Sequence, residues 1–224
     1  SKAAGTATIT VETTDGSEIS KQIEVVVYDI DAPEKIVLLP TAENANVGAS
    51  LLPTGYDLGF GLSYTSSNPD VVAVDADGNL TITGVGTANI TVSCPDSFVS
   101  KTIPVTVADA SVQYDKTELN AGETAALTIT AIPNGTVKSF TVTVEPDDDS
   151  VVSVSADGTV RGIGNGNATV TVSAVIEVEG VELPVVKTVE FTSTVLATDI
   201  SINVNNPLLV EKGKDHALNA IIIP

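Results

Sequence analysis

An all-β chain of repeated sandwich modules is predicted by three features of this 224-residue sequence. These are a Val- and Thr-rich composition, apolar runs that alternate strictly with polar residues, and a motif that recurs at a near-constant interval. Hydrophobic residues make up 42% of the chain and aromatic residues only 4%, so the apolar mass is Val, Ile, Leu and Ala. The β-branched part of that mass favours strands. No segment shows the period of an amphipathic helix.

The repeat sets the architecture before any local propensity does. Residues 5–11 read GTATITV, residues 86–92 GTANITV and residues 166–172 GNATVTV, so the two intervals agree to within one position. A second marker keeps the same step: PDVVAVDADGNL (69–80) matches DSVVSVSADGTV (149–160). A third, GETAALTITAIP (122–133), matches GKDHALNAIIIP (213–224) position by position. The expected division is the closing strands of one module in residues 1–31, complete modules in 32–108 and 109–196, and the opening strands of another in 197–224, a window on a longer array. The joins YDIDAPEKI and VADASVQYD hold no Gly/Ser tract or charge run, so neighbouring modules are expected to sit close and stiffly, in an extended array.

Each element of a module follows from its pattern. In the GTANITV marker, Ala88, Ile90 and Val92 fall on one face and Thr87, Asn89 and Thr91 on the other, the period of a half-buried strand. A turn and a second alternating run follow each marker: Asp15-Gly16 before Ile19–Tyr28, Pro95-Asp96 before Phe98–Val107, and Glu179-Gly180 before Val181–Val195. Each module therefore ends in a hairpin. Upstream, Asp77-Gly78 joins Val71–Val74 to Leu80–Thr83, and Asp157-Gly158 joins Val151–Val154 to Thr159–Arg161. The first half adds Lys35–Leu39 or Val112–Glu118, then Ala125–Ile132, then Leu62–Ser66 or Lys138–Glu145. About seven strands in about 80 residues, with a turn signal every 8–12, is the pattern of an immunoglobulin-like β-sandwich. Pro104 and Pro184, both in the last strand of a module, are expected to protect sheet edges.

Residues 66–92, SSNPDVVAVDADGNLTITGVGTANITV, resemble the signature of the bacterial Ig-like domain, group 2, and residues 147–172 are similar. The later copy replaces the Ser-Ser-Asn-Pro corner with an acidic run and lacks the aromatic residue that Tyr64 supplies before it. The resemblance implies tandem modules of bacterial surface proteins of the intimin and invasin type, and of some phage virion proteins. It implies spacers or weak ligand-binding modules, and it carries no catalytic residues.

Composition narrows the function further. Twenty-nine acidic residues against ten basic ones give a net charge of −19, which repels phosphate backbones and anionic lipid, so no nucleic-acid partner is expected. No apolar run reaches the length of a membrane span, roughly 18 or more residues, so no membrane insertion is expected, and an export signal or anchor would lie outside residues 1–224. Cys94 is the only cysteine, so the chain forms no internal disulfide, and it reads as a small apolar side chain at a strand end. His216 is the only histidine and supplies no triad.

Hard oxygen ligands suited to Ca²⁺ occur twice, as Asp75, Asp77 and Asn79 in D-x-D-G-N and as the run Asp147, Asp148 and Asp149. The first loop lacks the Glu at position 12 of an EF-hand and has Gly78 at position 4 instead of 6, and its counterpart has Ser155 in place of Asp75. A turn-only role for these residues is favoured over a Ca²⁺ site, since Asp-Gly is what a tight hairpin needs. A glycosidase would need aromatic platforms and a cleft, and the chain has no Trp and four Tyr. N-x-Ser/Thr triplets at Asn79, Asn89, Asn134 and Asn167 arise freely in Thr-rich strands and carry little weight.

The expectation is a non-catalytic stalk or adhesive segment of an extracellular prokaryotic surface protein. Its partners would be neighbouring Ig-like domains of the same or adjacent chains, and host surface protein or carbohydrate. A phage virion or filament subunit is the alternative, and an accessory module of a polysaccharide-tethered hydrolase is the third reading.

Overall fold

The computed structural model describes residues 3–55, 57–94, 99–197, 199–202, 212, 217 and 220–223. The turn Pro95-Asp96 and His216 lie outside the described residues. Among those described there are strands, turns and bends, and no helix. The chain forms two compact units. Unit 1 comprises residues 1–109 together with 131–136 and 176–183, and unit 2 comprises 110–130, 137–175 and 184–224.

Unit 1 opens with a hairpin of β1 (Gly5–Glu12) and β2 (Ser20–Val27). After it come β3 (Asp29–Asp31), β4 (Ile36–Leu38), β5 (Ser50–Leu52), β6 (Ser63–Ser66), β7 (Val72–Val74), β8 (Leu80–Ile82), β9 (Gly86–Ser93) and β10 (Ser100–Val107). One sheet has the order β4-β10-β9-β6, with β4 parallel to β10 and the other pairs antiparallel; β3 pairs with β5 and β7 with β8. The alternation read from the sequence sets which face is buried: Ile90 and Ile103 sit directly opposite each other and are both fully buried, as are Val92, Val105 and Val107. They cluster with Ile30 of β3, Val47 of the loop after β4, Val72 of β7 and Leu80 of β8. Each such side chain contributes roughly 1.5–3 kcal/mol when fully buried, so this apolar face, with no disulfide, holds the module together.

Unit 2 repeats the plan. It is built on β11 (Asp109–Tyr114), β12 (Glu118–Asn120), β13 (Thr124–Ala125), β14 (Leu127–Ile132), β15 (Thr136–Glu145), β16 (Val152–Val154), β17 (Val160–Gly162), β18 (Gly166–Val178) and β19 (Val181–Thr194). The sheet β12-β19-β18-β15 is the counterpart of β4-β10-β9-β6, again with one parallel pair, β12 to β19. Ala168, Val170, Val172 and Phe191 form its core with Leu119, Val152 and Val160, and the Phe191 ring meets Tyr114 edge-on at 4.9 Å between centroids. Lastly, β20 (Asp199–Ile202) pairs antiparallel with β21 (Ala220–Ile223).

Four details differ from the sequence reading. The stretch expected as one strand over 125–132 is divided between β13, which pairs with β17, and β14, which pairs with β11. The stretch expected as one strand over 112–118 is two: β11 pairs with β14, the chain bends at 115–117, and β12 joins the other sheet. The joins are themselves structured, since β3 and β11 lie in them and pair with strands downstream. Pro104 is not on an edge strand, because β10 lies between β4 and β9; β4 pairs only with residues 105–107, so the missing N–H of Pro104 falls where that side of β10 has no partner. Pro184 lies on β19, which stands between β12 and β18 in the sheet, but β12 pairs only with residues 192–194, well beyond Pro184.

Candidate functional site

The two acidic turns are the sites the sequence singled out, and each is stabilised from within. Oδ1 of Asp75 accepts the backbone N–H groups of Asp77 and Asn79 at 2.9 and 2.8 Å, and Oδ2 accepts the Asn79 amide at 2.9 Å. Asn46, on a loop well upstream in the chain, donates to Asn79 Oδ1 and to the Asp77 carbonyl. These bonds favour the charged form, so the Asp75 carboxyl is held below the usual carboxylate range, chiefly by the Asn79 side chain and then by its backbone N–H. Asp77 supplies its backbone to the turn. In unit 2 the roles shift along the turn: Ser155 stands in the Asp75 position and donates its hydroxyl to Asp157 Oδ1 at 2.5 Å, which also accepts the Thr159 N–H at 3.0 Å. Asp157 is lowered for the same reason, by Ser155 first.

Asp147, Asp148 and Asp149 follow β15 as an exposed bend. Asp148 Oδ1 accepts the Ser150 N–H at 2.9 Å, and its carboxyl is lowered by Ser150. Asp149 takes a left-handed backbone conformation. Among the described residues, no group of three or more His, Cys, Asp and Glu is arranged to hold a metal ion. Cys94 is buried at the end of β9.

Aromatic residues support these turns, and differently in the two units. Tyr64 lies under Gly78, where an added Cβ would come within 2.9 Å of its ring. Unit 2 lacks that aromatic, and its place under Gly158 is filled by Leu127 and by Tyr114, whose hydroxyl donates to the Gly158 carbonyl at 3.0 Å. Burial pushes the Tyr114 phenol up to about 12. Neither Asn46 nor Tyr114 was singled out from the sequence, because both act on a turn far along the chain from their own positions.

Unit 2 also carries an open recess of about 250 Å³ lined by Leu127, Ile129, Val137, Phe140 and Asp157. It is below the roughly 300–1,000 Å³ of small-molecule sites and offers a single carboxylate. It has room for a ring or an aliphatic side chain.

Comparison with known proteins accords with this geometry. The model of the bacterial Ig-like domain (group 2) matches residues 106–185, and that of the intimin immunoglobulin-like domain matches residues 59–96. Residues 106–185 thus match a bacterial Ig-like domain, and residues 59–96 match part of one. Among curated proteins, 63 residues are 41% identical to the polysaccharide lyase 8 family protein HylA of Enterococcus faecalis, covering 28% of this chain and 5% of that protein. Another 117-residue match, 34% identical, is to protein CA_P0160 of Clostridium acetobutylicum and covers 50% of this chain and 12% of that one. The chain thus spans a small part of these relatives. Among solved structures, the D00-D0 domain of intimin matches over 74% of this chain and 100% of its own, at 13% identity and a TM-score of 0.35.

Proposed function

We propose that this chain is a non-catalytic segment of an extracellular bacterial surface protein, in which Ig-like modules succeed one another as an extended stalk and present binding surfaces along it. The division into modules at 32–108 and 109–196, flanked by parts of two more, belongs to this reading. The observation that carries it is the recurrence of one Ig-like plan in both units. Each unit has its own apolar core, and the carboxylates at its turns are committed to holding those turns.

Asp75, Asp77 and Asn79, and the run Asp147–Asp149, are assigned to turn support, with Ca²⁺ the competing assignment. Adhesion in this reading is weak per module and gains strength from copy number, because linked modules rebind at high effective concentration. The ligand classes are host surface protein and carbohydrate, contacted through the Thr-rich outer faces of β9 and β18. The test is a glycan and extracellular-protein array probed with the chain as a monomer and as a streptavidin-linked tetramer. Binding by the tetramer at concentrations where the monomer is silent is the expected result. Silence of both forms would remove the adhesive half and leave a spacer.

A further inference from the structure

The β18–β19 hairpin is longer than its counterpart. Its strands run 13 and 14 residues, against 8 and 8 for β9 and β10, although both pairs begin at the same marker. The tip of the additional length, residues 176–183, belongs to unit 1. A hairpin face with no cover is seen elsewhere in unit 1: on β1–β2, Ile9 and Ile23 occupy the places of Ile90 and Ile103 and are 51% and 59% exposed. The hairpin tip is different, since Ile176 and Val178 are fully buried.

Two contacts within unit 1 hold the tip. Val178 sits over Gly135, where an added Cβ would come within 2.6 Å of Val178 Cγ2 and 2.9 Å of the Ala131 Cβ, so only glycine fits. At the turn, Glu179 and Gly180 both take left-handed backbone conformations, which aim the Glu179 carbonyl and carboxylate at the start of β4 and the outer face of β10. Lys35 donates its ammonium to that carbonyl, and the Thr106 hydroxyl donates to Glu179 Oε1 at 2.8 Å. Thr106 points away from the core formed by Val105 and Val107, yet it is only 2% exposed. Its counterpart shows what that position looks like uncovered. Thr106 pairs with Thr87, the second residue of one marker, and Thr192 bonds Asn167, the second residue of the next; Thr192 is exposed.

We infer that Lys35 and Thr106 form a docking surface for the Glu179-Gly180 hairpin tip, and that the Glu179 contact couples the stability of the sheet β4-β10-β9-β6 to the tip, residues 176–183. The same two residue types stand at the same two places in unit 2, where Lys116 pairs with Glu123 at 3.7 Å and Thr192 donates to Asn167. The value of such coupling to a stalk rests on the function proposed above, whereas the contact itself does not.

Hydrogen exchange read by mass spectrometry on the full chain tests it. In Glu179→Ala and in Thr106→Val, amides of residues 35–38 and 103–107 exchange about three- to tenfold faster, the cost of one net hydrogen bond. Residues 166–172 keep their protection, and the double variant adds little to either single one. Glu179→Gln, which keeps the acceptor oxygen, restores the protection. Unchanged exchange at 103–107, additive single effects, or a uniform rise across both units would overturn the inference. None of these outcomes bears on whether the modules form a stalk.

Discussion

At the scale of single residues, the carboxylates at the turns tie stability to acid. Asp75 and Asp157 have carboxyls lowered in the folded chain by bonds that the unfolded chain lacks. A depressed folded value means the contribution is present above the ordinary carboxylate value of 3.8 and is lost as pH falls through the lower folded one. The urea midpoint is therefore expected to be flat from pH 7 to about 5 and to drop steeply below about 4. Asp75→Asn starts from a lower midpoint at pH 7 and falls less steeply; a parallel curve would contradict the assignment. Millimolar Ca²⁺ is expected to leave the melting temperature unchanged, because both Asp75 oxygens are already engaged by the turn. A Ca²⁺-dependent rise that Asp75→Asn abolishes would make Asp75, Asp77 and Asn79 cation ligands.

Among the elements, glycines mark where backbones approach each other. A Cβ on Gly84 would lie 2.8 Å from the Asp70 carbonyl oxygen, and one on Gly164 would lie 2.2 Å from that of Ser150, the same crossing in each unit. Gly84→Ala is expected to cost about 1–3 kcal/mol in chemical denaturation, as overpacking does. Gly61, with open space around it and no left-handed backbone, is the control, and Gly61→Ala should change stability by less than about 0.5 kcal/mol. Equal stability of the two variants would show that the crossing relaxes freely.

Element by element, the sequence was most legible where the period is local. The hairpins β1–β2 and β18–β19, and the buried row Ala88, Ile90 and Val92, follow from alternation and Asp-Gly or Glu-Gly turns. The β3–β5 pairing and the switch from β11 to β12 are set by partners far along the chain, so no short window shows them. For the same reason the turn residues Asp75, Asp77 and Asn79 could be picked out, whereas Asn46, Tyr114 and the seat of Glu179 on Thr106 could not. The length of β18 and β19 relative to β9 and β10 was the available clue to that seat.

For the whole molecule, the proposed stalk requires modules that succeed one another instead of collapsing into one body. Each unit has an apolar core of its own, and the chain carries a strong net negative charge. Small-angle X-ray scattering of the full chain at about 0.15 M salt, where charges are screened beyond about 8 Å, tests this most directly. A single compact body of 224 residues would have a radius of gyration of about 17 Å. The account predicts a value well above that, with a pair-distance distribution that peaks at module size and tails to long distances. A symmetric distribution with the radius of gyration of a single compact body would contradict it.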